Sequence, residues 1–239
     1  LKPGYNIQIG VDSEYIVATD VFSDRNDVWT LIPFLKTMDE KLGFRYPSVT
    51  ADSGYESEEG YTYLRETRQT PYLKPQTYEK WKRRSFKQDI SKRENMSYDA
   101  ETDVYTCYAQ KKLSPVFVKK QKSKSGYESE VTVYECEDCK DCPHKEKCTR
   151  AKGNKRLYVS KSFLEKRQES YENILTETGI QYRMNRSIQV EGAFGVLKND
   201  YEFQKFLLRG KTKVKLEILL LCMGYNLNKL HAKIQKERT

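Results

Sequence analysis

Two acids stand out in this 239-residue chain because of what surrounds them. Glu191 lies in the stretch Tyr182 to Lys198, which reads as a helix. Val190, Phe194, Leu197 and Tyr201 recur there at the spacing of one apolar stripe on a 3.6-residue helix, so the stripe faces a core and Glu191 sits about a quarter turn away, at its rim. Ser187, Gly195 and Lys198 follow roughly the same line as Glu191, which sets a cation beside the acid. Gly192 and Gly195 each cost about 1 kcal/mol relative to Ala in a helix interior, so their presence predicts a close approach by a metal, a substrate backbone or another helix. The alternative is an amphipathic helix with a solvated Glu and two packing glycines. Asp52 ends a short buried strand, Pro47-Ser-Val-Thr-Ala-Asp52, and a Ser53-Gly54 turn follows. A carboxylate at the carboxyl end of a strand is a common functional position in α/β sheets. Because the next helix starts at Ser57, Asp52 is expected to have no capping duty. Brought together, the two acids would grip a cation.

A second constellation is Cys136-Glu-Asp-Cys139-Lys-Asp-Cys142-Pro-His-Lys-Glu-Lys-Cys148. Four thiols in thirteen residues of an intracellular chain point to metal ligation rather than disulfides, and paired Cys-x2-Cys turns suit tetrahedral Zn²⁺. An iron-sulfur cluster is the rival occupant. Cys107 can substitute for one clustered thiol and His144 is a further donor, whereas Cys222, in an apolar helix, reads as a buried small residue.

Elements must position these groups. Tyr5–Val11 and Tyr15–Val21 read as a hairpin around Asp12-Ser-Glu, with Asp12 a turn residue. An amphipathic helix over Val28–Leu42 ends at Gly43, and after the Asp52 strand come a helix from Ser57 to about Arg68 and a strand over Thr70–Pro75. Hairpin, helix, strand, helix, strand is an α/β order. From Glu79 the chain turns basic, with Trp81 and Phe86 among Lys82, Arg83, Arg84, Lys92 and Arg93, a composition suited to phosphate contacts. Three strands of a meander follow at Asp103–Tyr108, Ser114–Lys119 and Tyr127–Cys136. A polar helix over Lys161 to about Thr178 breaks at Gly179. The Glu191 helix comes next, then Lys211–Lys236, whose Leu216, Leu219, Leu220, Met223 and Leu227 form an apolar face expected to cover the sheet. The implied organisation is 1–78 and 158–239 as two parts of a core, with 79–157 a small β-rich, cysteine-containing insertion.

Composition narrows the classes. Charged residues make up 32% and mean hydropathy is −0.84, polar but with enough apolar residues to fold. The longest apolar run, Ile218–Met223, is far too short to cross a bilayer, and no charged-then-apolar leader opens the chain, so a cytoplasmic protein without a membrane partner is expected. The net charge of +9 is uneven: residues 1–73 hold 7 basic and 12 acidic residues (−5), 74–156 hold 21 and 13 (+8), and 157–239 hold 15 and 9 (+6). An acidic half-site beside surfaces that attract a polyanion fits that distribution. Lys-rich loops that serve only solubility are the bland reading.

Ala51-Asp52-Ser53-Gly54-Tyr55, followed far downstream by Val190-Glu191-Gly192-Ala193-Phe194-Gly195 and Lys198, resembles the insertion-sequence transposases of the DDE class that carry a Tyr-Arg-Glu-Lys signature. The resemblance covers nearly the whole chain. It implies an α/β fold of RNase H-like type, a mixed sheet flanked by helices, and metal-dependent phosphodiester hydrolysis and strand transfer on insertion-sequence ends. It makes Asp52 and Glu191 the second and third catalytic acids, holding Mg²⁺ or Mn²⁺ through hard oxygens. Lys198 matches the signature Lys and is implied to contact DNA phosphate; Arg186 and Tyr182 take the other two places, each out of the usual spacing. The first acid of the family lies on a strand before the hairpin, and none of Asp12, Asp20, Asp24 or Asp27 takes its place, so this chain alone is expected to be incomplete and inactive. DNA ends and target are the implied partners, with a homodimer in synapsis and a bacterial, nucleoid-associated location. A non-catalytic DNA-binding remnant and an RNase H-like nuclease with a zinc-stabilised insert are the alternatives.

Overall fold

The computed structural model describes residues 4–237 and divides the chain into two compact units. The first comprises residues up to Lys74 and those from Glu169 onward; the second is Pro75–Gln168. In the first, β1 (Asn6–Asp12) and β2 (Tyr15–Phe22) form an antiparallel hairpin, as their β-branched and aromatic residues dictate. Its tight turn holds Ser13 and Glu14 at φ of 49° and 72°, the sense that matches the twist of the strands. A 3-10 turn at Asp27–Trp29 leads into α1 (Leu31–Leu42), stopped by Gly43 at φ 73°. Strands β3 (Ser48–Ala51) and β4 (Thr70–Leu73) pair in parallel across α2 (Glu58–Glu66). The cap of α2 is Ser57, whose Oγ accepts the Gly60 N–H at 3.0 Å.

The expected single mixed sheet is not formed by these strands. Among the described residues β1–β2 and β3–β4 are separate two-stranded pieces. Residues of both β1 and β3 line one cavity of about 450 Å³, so open space rather than a hydrogen-bond ladder lies beside them.

The second unit opens with two one-turn helices, α3 (Tyr78–Trp81) and α4 (Arg84–Lys87). It then builds one antiparallel sheet in chain order from β5 (Ser97–Asp99), β6 (Val104–Thr106), β7 (Lys112–Lys122), β8 (Glu128–Cys136) and β9 (Arg156–Val159), with the short α5 (Lys145–Cys148) before the last strand. The meander read from sequence lacks β5 and β9, which are three and four residues long, too short for alternation to register. Cys107, Cys136 and Cys139 belong to the core of this unit, packed with Leu113, Tyr134 and Leu157.

Helix α6 (Lys161–Leu175) gives its second half to the first unit, where it finishes the edge of β4. The fully buried Ser170 accepts the Leu73 N–H at 3.0 Å, and Asn173 donates to the Pro71 carbonyl at 3.1 Å. The break before α7 (Glu177–Gly195) falls at Thr176 and not at Gly179. Thr176 is the N-cap and its hydroxyl accepts the Gly179 N–H at 3.0 Å, while a Cβ on Gly179 would meet the Asn173 carbonyl oxygen at 2.0 Å. The glycine therefore permits the tight junction instead of ending a helix.

Helix α8 (Lys211–Glu237) corrects another expectation. Its packed face is Val214, Ile218, Cys222 and Tyr225, against Ile16, Val21, Ala193 and Leu197. Asn226 brackets Ile16 from the same side, accepting its N–H and donating to its carbonyl, each at 2.9 Å. Leu216, Leu219, Leu220, Met223 and Leu227, expected to cover the sheet, are exposed. A two-stranded hairpin is narrow enough to cover one stripe of a helix and leave the other in solvent. Cys222 is buried, as its apolar setting predicts.

Replacing Ser170 with Ala strands the buried Leu73 N–H, and the expected result is a loss of about 1–3 kcal/mol of unfolding free energy in urea melts.

Candidate active site

Asp52 stands at the end of β3 and caps the 3-10 turn Ser53–Tyr55, accepting the Ser53 N–H at 2.6 Å. It therefore does have a capping role, for this intervening turn and not for α2, because the chain turns immediately after the strand. Glu191 projects from α7. The two acids lie far apart in the chain but reach the same guanidinium: Arg186 Nη1 donates to Glu191 Oε1 at 3.2 Å, and Nη2 lies 3.9 Å from Asp52 Oδ2. Both carboxylates are more than half exposed, and the arginine about a quarter. Exposed pairs of this kind contribute on the order of 0–1 kcal/mol each.

Beneath Asp52 lies a polar network that the sequence reading passed over. Asn6 and Gln8, two apart on β1, both donate to Asp27 Oδ1, at 2.7 and 3.2 Å. Gln8 is 4% exposed and its Oε1 accepts the Tyr55 hydroxyl. A Cβ on Gly54 would lie 3.2 Å from Asp27 Oδ2, so the turn after Asp52 runs close against that acid. Burial, reinforced by the Asp27 carboxylate, pushes the Tyr55 phenol up to about 12, with the Arg186 charge working in the opposite direction. The signal available in the sequence was two polar residues at alternate positions on a strand otherwise facing a core. Asp27 is thus engaged by two amides, consistent with a positioning role.

The rest of the proposed signature is placed less tightly. Past Gly195, α7 widens into a π turn over Val196–Asp200, which breaks the 3.6-residue line drawn from Glu191 to Lys198. Only Leu197 of the expected stripe is fully buried, with Ala193 beside it, and Val190, Phe194 and Tyr201 are half-buried. The Lys198 ammonium lies 5.7 Å from the centre of the Phe194 ring. The Tyr182 ring meets Tyr72 edge-on at 5.1 Å and is 38% exposed. Among the described residues nothing beyond the helix's own backbone and the adjoining residues approaches Gly192 or Gly195: a Cβ at either would find no other atom within 4 Å. The close approach expected there is not made by the described residues, and a strip of α7 beside Glu191 carries no side chain.

The donor chemistry at Asp52 and Glu191 is that of a hard cation, and a positive group already lies between the two carboxylates. The thiols differ. Cys107, Cys136, Cys139, Cys142 and Cys148, with His144, line one small cavity in the second unit. Yet among the described residues no three His, Cys, Asp or Glu side chains are arranged to hold a metal ion, so the expected zinc finds no formed ligand set there. Burial pushes the Cys136 thiol up to about 12 and raises Cys148 as well.

Comparison with known proteins decides the family. The family model for the transposase DDE domain matches residues 106–231, more than half of the chain. The chain belongs to the DDE transposase family. The matched span includes Glu191, Lys198 and the five clustered or neighbouring cysteines, and begins after Asp52. No curated protein and no solved structure gives a significant match. Family membership makes DNA the substrate class, and DDE transposases in general use divalent metal ions. Among the described residues no helix is long and apolar enough to cross a membrane.

The raised Tyr55 phenol makes a pH prediction. Its folded value lies above the ordinary 10, so its contribution to stability is full below pH 10 and is lost as pH rises through about 12. Unfolding free energy measured across that window should fall less steeply in Tyr55→Phe than in the parent chain; identical slopes would remove Tyr55 from the network.

Proposed function

We propose that the first unit is the catalytic core of an insertion-sequence transposase, with Asp52 and Glu191 as two of the acids that position a divalent cation at a scissile phosphodiester. The observation that carries this is the convergence of both carboxylates on Arg186. Exposed ion pairs are weak enough for a divalent ion to replace the guanidinium, and two hard carboxylates suit Mg²⁺ or Mn²⁺. When bound, such a cation supplies Lewis acidity to phosphodiester oxygens and lowers the pKa of water. The protein's own share is positioning. The turn at Ser53–Tyr55, pinned through Tyr55, Gln8 and Asp27, fixes Asp52, and α7 presents Glu191 beside a strip without side chains at Gly192 and Gly195, where a nucleic-acid backbone can approach. Once released from the acids, Arg186 joins Lys198 and Tyr182 as a DNA contact, the two cations pairing with phosphates.

The cavity lined by β1 and β3 supports the finer reading of an RNase H-like core. A further strand there would join the two strand pairs into one mixed sheet, and a residue on it next to Asp52 would supply the first acid. On this reading the isolated chain binds DNA without cutting it. Synapsis of two ends by a homodimer, action on insertion-sequence ends and a bacterial nucleoid location follow from the same proposal. Because Arg186 already neutralises the acids, a DNA-binding role without catalysis is the second reading.

The isolated chain should bind duplex DNA with an affinity that falls steeply with salt, and show no Mg²⁺-dependent nicking or strand transfer. With an Asp-bearing strand supplied to the β1–β3 cavity, cleavage should appear and drop about 100-fold or more in Asp52→Ala or Glu191→Gln. Cleavage indifferent to both substitutions contradicts the assignment; robust cleavage by the unaided chain, abolished by Asp52→Ala, contradicts the incompleteness.

A further inference from the structure

Helix α8 has two apolar faces and the first unit uses one. Leu216, Leu220, Met223, Leu227, Leu230 and Ile234 follow each other at intervals of 4, 3, 4, 3 and 4 residues. This is an unbroken 3.5-residue repeat, the a/d pattern of a coiled-coil seam, and no polar residue interrupts it. All six side chains are exposed, Leu227 by 64% and Leu220 by 58%, and they lie diametrically across the helix from Val214, Ile218, Cys222 and Tyr225, which are buried. A globular helix that needs only its own core has a single stripe of roughly 3.6-residue period. Here the second stripe keeps the period of a helix that pairs with another helix.

We propose that this seam is an interface between two copies of the chain, paired α8 to α8. A second copy supplies the same repeat over the same length, so the surface is complementary to itself, as a two-fold contact requires. The exposed parts of the six residues amount to roughly 600 Å² per copy, about 1,200 Å² for a pair, which reaches the lower limit of stable, specific interfaces. Left in water, a continuous apolar patch of that size stands at the upper end of what monomeric proteins ordinarily expose. The flanks agree: Asn226, Lys229 and Lys233 are turned to the hairpin, where they contact Ile16 and Glu14, so the seam is not crowded by their charges. The proposal stands on α8 alone. It gives the dimer of the preceding section a surface, and its failure leaves Asp52 and Glu191 where they are.

Sedimentation equilibrium of this chain at micromolar concentrations tests it. The expected result is a reversible dimer, with self-association weakened at least 100-fold when Leu220→Glu and Leu227→Glu are combined and with the helical circular-dichroism signal unchanged. A parent chain that stays monomeric at about 100 μM overturns the proposal, because the seam then serves another occupant; so does a double variant that dimerises as well as the parent. Should the double variant not fold, hydrogen exchange of the parent decides: protection across Leu216–Ile234 that rises with protein concentration supports the pairing, and protection independent of concentration overturns it.

Discussion

Arg186 is the hinge of the chemistry. It sits five residues before Glu191 on α7 and reaches across to Asp52 at the end of β3, so one guanidinium ties the middle of a helix to the exit of a strand more than a hundred residues away. Two carboxylates that meet one guanidinium repel each other, and the cation between them offsets that repulsion. The arrangement is weak by design of its setting, since both acids face solvent. A site that must exchange its positive charge needs acids that are positioned by something other than that charge.

The positioning comes from the polar network under Asp52 and from the helices behind Glu191. Gln8 and Asn6 fasten Asp27, and the Tyr55 hydroxyl closes on Gln8, so the turn that follows Asp52 is held from below by hydrogen bonds in a buried place. Glu191 is held through Ala193 and Leu197, which pack with Val214 and Ile218 of α8 and Val21 of β2. The hairpin therefore serves both acids: its β1 face carries the polar anchor and its β2 face receives the helices.

Much of the first unit was legible because local signals agreed with tertiary demands. Gly43 ends α1, Ser57 caps α2, and the alternation in β1 and β2 gives a hairpin. Legibility ended where two solutions share one pattern. Helix α8 carries two apolar stripes, and the bulkier one was read as the core face although the hairpin covers the slimmer one. Gly179, in the first turn of α7, looks like a terminator, yet its missing Cβ is required by the Asn173 carbonyl at the end of α6. The π turn after Gly195 leaves no mark in periodicity and shifts Lys198 off the expected line. Around the site, the sequence pointed to Asp52, Glu191 and Arg186 by type and order, and their proximity is a fact of the fold. Asn6, Gln8 and Tyr55 were missed because a buried polar network has no periodic signature, only its members' unsuitability for a core. In the second unit the cysteines share a cavity, as their spacing suggested, with Cys107, Cys136 and Cys139 in the core and no ligand set formed among the described residues.

The central claim is that Asp52 and Glu191 act on one cation. Mn²⁺ binding to the chain, followed by electron paramagnetic resonance, tests it most directly through a double-mutant cycle. Asp52→Asn and Glu191→Gln should each weaken the same site about tenfold or more, and the pair together should lose much less than the sum of the two, because the acids share one ligand. Independent, additive losses, or Mn²⁺ binding untouched by either substitution, would contradict the claim.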